Sequence, residues 1–192
     1  HKTRELTDKP FSVNIMLMNP EAEAIAQVVV EEKVAAVTTG AGSPAAYVPM
    51  WQEAGVKVIP VVASLMMAQR MQRIGVDAVV AEGQEAGGHI GEQTSMTLWP
   101  LLARNLDIPV IAAGGIAHGE EALTAEVMGC EGMQIGTLFL ATEECPIHQN
   151  YKDALVKARE SKITTIGRIS GVPCRCLKNR MTRQYLQEEK AG

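Results

Sequence analysis

Short apolar segments alternate with amphipathic segments along most of the chain. Six apolar segments are rich in β-branched residues and nearly continuous, which predicts strands buried on both faces. They are Pro10–Leu17, Val34–Gly40, Lys57–Val62, Ala78–Gly83, Pro109–Gly115 and Gly132–Leu140. Helices are predicted over Pro20–Lys33, Pro44–Ala54, Ser64–Ile74, Met96–Asn105, Gly119–Met128 and, after the last strand, about Asn150–Glu160. Strands that alternate with helices through short connections are typical of a parallel α/β fold.

A doubly wound open sheet and a barrel both fit this alternation. Residues 40–45, Gly-Ala-Gly-Ser-Pro-Ala, match the glycine pattern of dinucleotide-binding turns. The next predicted strand, Lys57–Val62, lacks the terminal acidic residue that such a site uses to hold the ribose. A closed barrel needs about eight strands, so either two βα units are missing or the barrel is not closed. The polar, helix-like start at His1–Thr7 favours a chain shortened at its front.

Composition narrows the class of protein. The 18 basic and 22 acidic side chains give a net charge of −4, which argues against a general nucleic-acid or membrane-surface binder. The four cysteines are scattered and resemble neither a disulfide framework nor a zinc site. No secretory signal and no membrane-length apolar segment is evident. We therefore expect a cytoplasmic protein without a metal site.

Polar residues and glycines collect where the predicted strands end. Gly114-Gly115 and Gly136-Thr137 follow consecutive strands. In barrels, function lies at the carboxyl ends of the strands, and phosphate sites commonly occupy the loops after the last two. Glycines let backbone N–H groups approach an anion closely, and the Thr137 hydroxyl adds a donor. The pair of motifs predicts a phosphate site.

The segment 82–91 is the strongest candidate for chemistry. His89 stands among Gly87, Gly88 and Gly91, so bulky neighbours do not enclose it. An imidazole can give or take a proton near neutral pH, although a histidine that only hydrogen-bonds its own loop fits the pattern equally well. Asn14 either contacts a ligand or satisfies backbone at the end of its strand.

Together these motifs resemble the nitronate monooxygenase-like flavoproteins, and most closely the bacterial FMN-dependent enoyl-acyl-carrier-protein reductase II branch. The resemblance runs in order through nearly the whole chain. It rests on residues 10–16, Thr38–Gly42, the Glu82–Gly91 segment, Ala112–Ile116 and Gln134–Thr137, with support from Cys145–Ala158 and from Lys178, Asn179, Thr182 and Arg183.

The resemblance implies an α/β fold of the TIM-type (β/α)8 barrel class, here truncated to about six βα units plus a C-terminal helical segment. Residues 1–145 would form the FMN-binding barrel portion, and residues 146–192 the helical segment, which could begin a lid or docking region. FMN would be bound by Asn14, Glu82, Gly88, Ala113, Gly114, Gly115, Gln134, Gly136 and Thr137, with His89 as the catalytic residue.

The activity implied by the resemblance is reduction of trans-2-enoyl-acyl-carrier-protein by NADH or NADPH, with FMN as cofactor. The choice between NADH and NADPH and a need for a monovalent cation stay open. Acyl carrier protein is acidic, and the basic residues Arg168, Arg175, Lys178, Arg180 and Arg183 either dock it or form a solvated face. A homodimer is also expected.

Three alternative functions remain. Nitronate monooxygenase would use the same cofactor, with His89 as the base. A relative of inosine-monophosphate dehydrogenase would need a nucleophilic cysteine in a loop near the phosphate strands, whereas the 82–91 segment holds His89 and no cysteine. A ligand-binding fragment without turnover is the third.

Overall fold

The structure, a computed structural model, describes residues 2–191. Within that range its strands are β1 (Ser12–Met16), β2 (Ala36–Gly40), β3 (Lys57–Val62), β4 (Val79–Glu82), β5 (Gly88–His89), β6 (Val110–Ala113), β7 (Gly132–Gln134), β8 (Ile163–Ile166) and β9 (Cys174–Leu177). Its helices are α1 (Lys2–Leu6), α2 (Ala22–Glu31), α3 (Val48–Glu53), α4 (Leu65–Arg73), α5 (Ser95–Ala103), α6 (Gly119–Val127), α7 (Thr137–Leu140), α8 (Gln149–Lys157) and α9 (Arg180–Ala191), with a 3₁₀ turn at Glu160–Lys162.

Six strands form one parallel sheet in the order β1-β2-β3-β4-β6-β7. The sheet is curled, and helices α2 to α6 connect its strands, so the molecule is a half-barrel. This architecture confirms the expectation of a TIM-type barrel truncated to about six βα units. Strands β1 and β7 form the two edges of the sheet.

The strand register separates the two faces of the sheet. Ile15, Val37, Val58, Val79 and Ala112 are at most 1% exposed and pack beneath the helices. The intervening residues lie on the concave face. Because paired residues share a face, this face carries Asn14, Thr38, Glu82, Ala113 and Gln134 near the carboxyl ends of their strands.

Two tryptophans anchor the core from opposite halves of the sheet. Trp51 on α3 is fully buried, and its indole N–H donates to the Ala26 carbonyl at 3.1 Å. Trp99 on α5 donates to the carbonyls of Ala81 at 3.0 Å and Ala113 at 3.3 Å. The second indole therefore links the ends of β4 and β6, where the candidate site begins.

The structure differs from the sequence prediction in two places. The strand expected over Gly132–Leu140 ends at Gln134, and α7 begins at Thr137. A short apolar segment carries too little periodicity to separate strand from helix. The C-terminal segment, expected to be helical, also contains β8 and β9, which pair antiparallel through a connection with Gly167 and Gly171 at positive φ.

The C-terminal strands form a second sheet with the candidate loop. Its order is β5-β9-β8, so β9 lies between β8 and the two-residue strand β5. This sheet fastens the 82–91 segment to the C-terminal segment. Among the described residues, no helix is both long and apolar enough to cross a membrane.

Candidate functional site

The two glycine motifs lie side by side. Strands β6 and β7 pair in parallel, with Ala113 opposite Gln134, so the segments that follow them leave the same edge of the sheet. Gly114 has a φ of +92°, and a Cβ there would lie 2.9 Å from the carbonyl oxygen of Gly83. Only glycine fits that position without displacing backbone.

Backbone donors are available at both tips. Within residues 2–191, no acceptor receives a hydrogen bond from the backbone N–H of Gly115, Gly136 or Thr137. A Cβ placed on Gly136 would meet nothing within 4 Å, so a ligand can approach its backbone. Unpartnered N–H groups beside glycines are the donors that anionic oxygens occupy in phosphate sites.

A cavity of about 910 Å³ opens at these tips. Its lining includes Glu82, Gly88, Ala113, Gly114, Gly115, Gln134, Gly136 and Thr137, eight of the predicted site residues. The 82–91 segment covers one side, because a Cβ on Gly87 would lie 3.2 Å from the Thr137 hydroxyl oxygen. The volume falls in the range of cofactor and small-molecule pockets.

Asn14 and His89 are not among the residues that line this cavity. The Asn14 side-chain oxygen accepts a hydrogen bond from the Thr38 hydroxyl at 2.9 Å, on the concave face of the edge strand β1. His89 is exposed on β5 opposite Cys174, whereas its neighbour Gly88 pairs with Arg175, which lines the cavity. Side chains alternate between the two faces along a strand. Arg175 lies on the face of the small sheet that borders the cavity, and His89 lies on the other face.

Glu82 ends β4 on the concave face and is half-buried. Burial raises the pKa of its carboxyl group above the ordinary value, because removal from water disfavours the charged form. A carboxyl group in this setting retains a proton to higher pH and can then donate a hydrogen bond to a ligand in the cavity.

Glu85 lies within the 82–91 segment, where the sequence assigned it no role, and the structure gives it one. Its carboxylate accepts hydrogen bonds from the backbone N–H of Ser95 at 2.9 Å and from the Ser95 hydroxyl at 2.7 Å. The same hydroxyl lies 2.9 Å from the Gly114 carbonyl, an alternative acceptor. Glu85 therefore links the start of α5 to the glycine tip of β6.

Arg175 is a second residue whose contribution the sequence did not reveal. It was noted only as one of several basic residues, yet its guanidinium donates to the Glu85 carbonyl at 2.8 Å across 90 positions of sequence. Both residues line the cavity. Contacts at such separation leave no spacing signal in a single sequence.

Much of the remaining cavity lining is apolar. The apolar residues belong to α7 and the position after it, to α8, to β8 and to β9, and they are Leu138, Leu140, Ala141, Leu155, Val156, Ile163 and Leu177. Tyr151, Arg159 and Glu160 add polar groups. The cavity thus combines backbone donors suited to an anion with apolar side chains suited to a hydrocarbon chain.

The remaining histidines serve the fold. His118 begins α6 in a capping box with Glu121, whose carboxylate accepts from the His118 backbone N–H at 2.6 Å. The His148 side chain caps α8 by accepting from the Asn150 backbone N–H at 3.1 Å. His1 lies outside the described residues.

No group of three or more His, Cys, Asp or Glu residues between 2 and 191 is arranged to hold a metal ion.

A parallel half-barrel with unpartnered backbone donors at adjacent strand tips is the arrangement in which TIM-type barrels commonly hold phosphate groups. A sequence profile of the nitronate monooxygenase family matches residues 21–192. The chain therefore belongs to the nitronate monooxygenase family, whose members are FMN-dependent flavoproteins.

Individual relatives carry different names. A nitronate monooxygenase of Paraburkholderia phytofirmans is 31% identical, with 94% of this chain and 63% of that protein aligned. The (3aS,4S,5R,7aS)-5-hydroxy-7a-methyl-1-oxo-octahydro-1H-indene-4-carboxyl-CoA dehydrogenase of Rhodococcus jostii is 34% identical over 92% of this chain and 50% of its own length. Among solved structures, FabK from Thermotoga maritima matches with 46% identity and a TM-score of 0.93, covering 95% of this chain and 59% of that one. The chain thus spans between half and two thirds of the length of these relatives.

The residues present fit FMN. The unpartnered N–H groups of Gly115, Gly136 and Thr137 are suited to its phosphate, and the concave face offers Glu82 and Gln134 to a polar ribityl chain.

Proposed function

We propose that the protein to which this chain belongs reduces enoyl thioesters, with FMN as cofactor and NADH or NADPH as electron donor. The observation that carries the proposal is the number of apolar side chains that line the same cavity as the glycine tips, which suits an acyl chain better than a small nitroalkane. The 46% identity to FabK, an enoyl-acyl-carrier-protein reductase II, over 95% of the chain supports the same substrate class.

When bound, FMN supplies the hydride chemistry. The backbone donors after β6 and β7 would hold its phosphate, and Glu82 and Gln134 on the concave face would bind its ribityl chain. The loop between β4 and α5 excludes water from one side of the cavity. Glu85, held by Ser95 and Arg175, keeps that loop over the tip of β6. His89 is proposed as the group that stabilises negative charge at the thioester carbonyl or supplies a proton.

For His89 to act at the cavity, the β5–β9 pairing must open or the imidazole must be reached from the open face of the half-barrel. That pairing comprises only two residue pairs, Gly88 with Arg175 and His89 with Cys174. A rearrangement of this size fits loop closure on substrate binding. His89→Ala is expected to lower kcat at least tenfold in the complete enzyme, with FMN binding retained.

Nitronate monooxygenase is the second candidate, favoured by the family profile and by the Paraburkholderia relative. The complete enzyme should be assayed for NADH and NADPH oxidation with crotonyl and longer enoyl thioesters, and for oxygen consumption with propyl-2-nitronate. We expect NADH or NADPH oxidation that depends on the enoyl thioester and becomes faster as the acyl chain lengthens. Oxygen consumption with the nitronate, together with no response to thioesters, would refute the reductase proposal.

Flavin binding by the chain itself has a direct test. Gly136→Ala places a methyl group in open space, so the fold should tolerate it, yet the methyl group obstructs phosphate approach. We expect FMN affinity to fall at least tenfold with the melting temperature unchanged, as followed by flavin absorbance and fluorescence titration. Gly119→Ala, also in open space but outside the cavity, is the matched control. A chain that takes up no FMN would favour the fragment hypothesis.

We also propose that the basic C-terminal segment docks acyl carrier protein. Residues 157–183 carry eight Lys or Arg side chains and one carboxylate, Glu160, in an otherwise acidic chain. Within the described range, Arg168, Arg180 and Arg183 are exposed and have no carboxylate within 4.0 Å. A positively charged surface of this kind attracts an acidic partner and mainly increases the rate of association.

Charge reversal tests this surface. The double variant Arg180→Glu/Arg183→Glu should raise KM for enoyl-acyl-carrier-protein several-fold while leaving kcat with an enoyl-pantetheine thioester unchanged. Arg70→Glu/Arg73→Glu on the exposed side of α4 is the control of equal charge. An equal effect of both double variants would reject a specific docking surface.

A further inference from the structure

Cys174, Cys176 and His89 lie on one face of the small sheet. The two cysteines are separated by one residue on β9, so their side chains lie on the same face. Cys174 is directly opposite His89 in the antiparallel β5–β9 pair. Directly opposed residues have Cβ atoms roughly 4.5–5.5 Å apart, so a rotation of either side chain brings the imidazole within reach of the Cys174 thiol.

This face of the small sheet is opposite the one that borders the cavity. Arg175 and Leu177 line the cavity, while neither Cys174 nor Cys176 does so. Both thiols are partly exposed, unlike Cys130, which is 6% exposed. Burial, and after it the proximity of Cys174, raises the pKa of the Cys176 thiol. The pair therefore consists of one thiol opposite an imidazole and a second thiol two residues further along the same strand face.

We propose that Cys174 and Cys176 are a site of reversible oxidation, in which a peroxide converts the two thiols to an intramolecular disulfide. Cys174 attacks one peroxide oxygen and gives a sulfenic acid and one water, with His89 accepting the thiol proton and passing it to the leaving oxygen. The Cys176 sulfur then attacks the sulfenic sulfur and releases a second water. The peroxide is reduced, the two thiols are oxidised, and two waters leave.

Strand geometry couples this bridge to the site. Two residues along an antiparallel strand span about 6.8 Å between Cα atoms, the upper limit for a disulfide. Bridging must therefore shorten or bend β9. Because β9 pairs with β5 on one side and β8 on the other, bending disturbs the register that positions His89 and the Arg175 contact to Glu85. A bridge that strains its strand is also easily reduced, as regulatory disulfides are.

Trypsin makes the bridge directly observable, since it cleaves after Arg168, Arg175 and Lys178 and so separates the two cysteines. After treatment of the reduced chain with hydrogen peroxide, we expect peptides 169–175 and 176–178 to appear as a linked pair that dithiothreitol separates. Cys174→Ser and Cys176→Ser should each abolish the pair, and Cys145→Ser should not. Linkage through Cys130 or Cys145, a bridge between chains, or peroxidation without linkage would overturn the proposal.

Coupling to the cavity rests on the proposed FMN binding and is measured separately. Oxidation is expected to weaken FMN affinity several-fold in the parent chain and to leave it unchanged in Cys176→Ser, with recovery after reduction. If the linked peptides form while FMN affinity is unaltered, the coupling is refuted but the oxidation site stands. If the reduced chain binds no FMN, the proposed function fails while the peptide result still decides the oxidation site.

Discussion

At the scale of single residues, burial decides how Glu82 behaves. The carboxyl group ends a strand on the concave face, where removal from water raises its pKa. A raised pKa in the folded state means that the folded chain binds more protons than the unfolded chain between the two pKa values. The contribution of Glu82 to stability is therefore full below the unfolded pKa and declines as pH rises through the folded pKa.

Glu82→Gln should consequently stabilise the chain at neutral pH. The increase in the free energy of unfolding over the parent chain should be absent at about pH 4, near the ordinary carboxyl pKa. It should grow with pH and reach a plateau above the raised pKa of Glu82. Urea unfolding at several pH values measures it. Glu92→Gln, which removes an exposed carboxylate from the same loop region, controls for net charge. A stability difference that stays constant with pH would contradict the expectation.

At the scale of elements, short polar contacts set where segments begin. The Lys178–Arg183 motif, quoted for its family resemblance, starts α9: the Asn179 side-chain oxygen accepts from the Thr182 backbone N–H, and the Thr182 hydroxyl accepts from the Asn179 backbone N–H, both at 2.9 Å. This reciprocal pair acts as a helix cap. The residues of this motif, which contribute to the family resemblance, therefore also have a structural role as the cap of α9.

Asn179→Ala should destabilise the chain by about 1 kcal/mol, the usual effect of losing an N-terminal cap. Chemical denaturation measures the free energy of unfolding, and the helical circular dichroism signal should fall slightly. Gln187→Ala on the exposed side of α9 changes the same helix without touching the cap and should be neutral or slightly stabilising. Equal effects of the two substitutions would exclude the cap as the cause.

At the scale of the whole molecule, the core and the site are joined through one indole. Trp99 ties the carbonyls of Ala81 and Ala113 together, and the residues that follow these two are Glu82 and Gly114. Trp51 makes the corresponding bond to Ala26, in a part of the core away from the cavity. Variants of the two tryptophans can therefore be compared to separate a loss of free energy of unfolding alone from a loss that also affects the cavity.

Trp99→Phe and Trp51→Phe should each lower the free energy of unfolding by roughly 1–3 kcal/mol, because each removes the buried hydrogen bonds of the indole N–H and leaves space beside a smaller ring. Only Trp99→Phe should also weaken FMN binding, since it frees the ends of β4 and β6 to separate. Thermal unfolding and flavin titration on the two variants distinguish these effects. Parallel losses of FMN affinity would mean that stability alone governs the cavity.

Local signals predicted most of the elements. Lys57–Val62 was predicted with the bounds that the structure has, and four of the other five parallel strands were placed on their correct segments, whereas only the first three residues of Gly132–Leu140 form a strand. The glycine tips were predicted to be neighbours, and β6 and β7 pair. In contrast, β8 and β9 were absent from the prediction, because a short antiparallel hairpin gains its stability from the strand it joins. The roles of the predicted site residues stay predictions.

The sequence by itself determined the alternation of buried strands and helices, the glycines at the strand ends and the family, because each depends on residue type and spacing along the chain. Only the tertiary structure decided that Arg175 meets Glu85, that Ser95 meets Gly114, and that His89 pairs with Cys174 rather than lining the cavity. These contacts join residues that are 19 to 90 positions apart. Their register is set by the packing of whole elements, and no local pattern of side chains signals it.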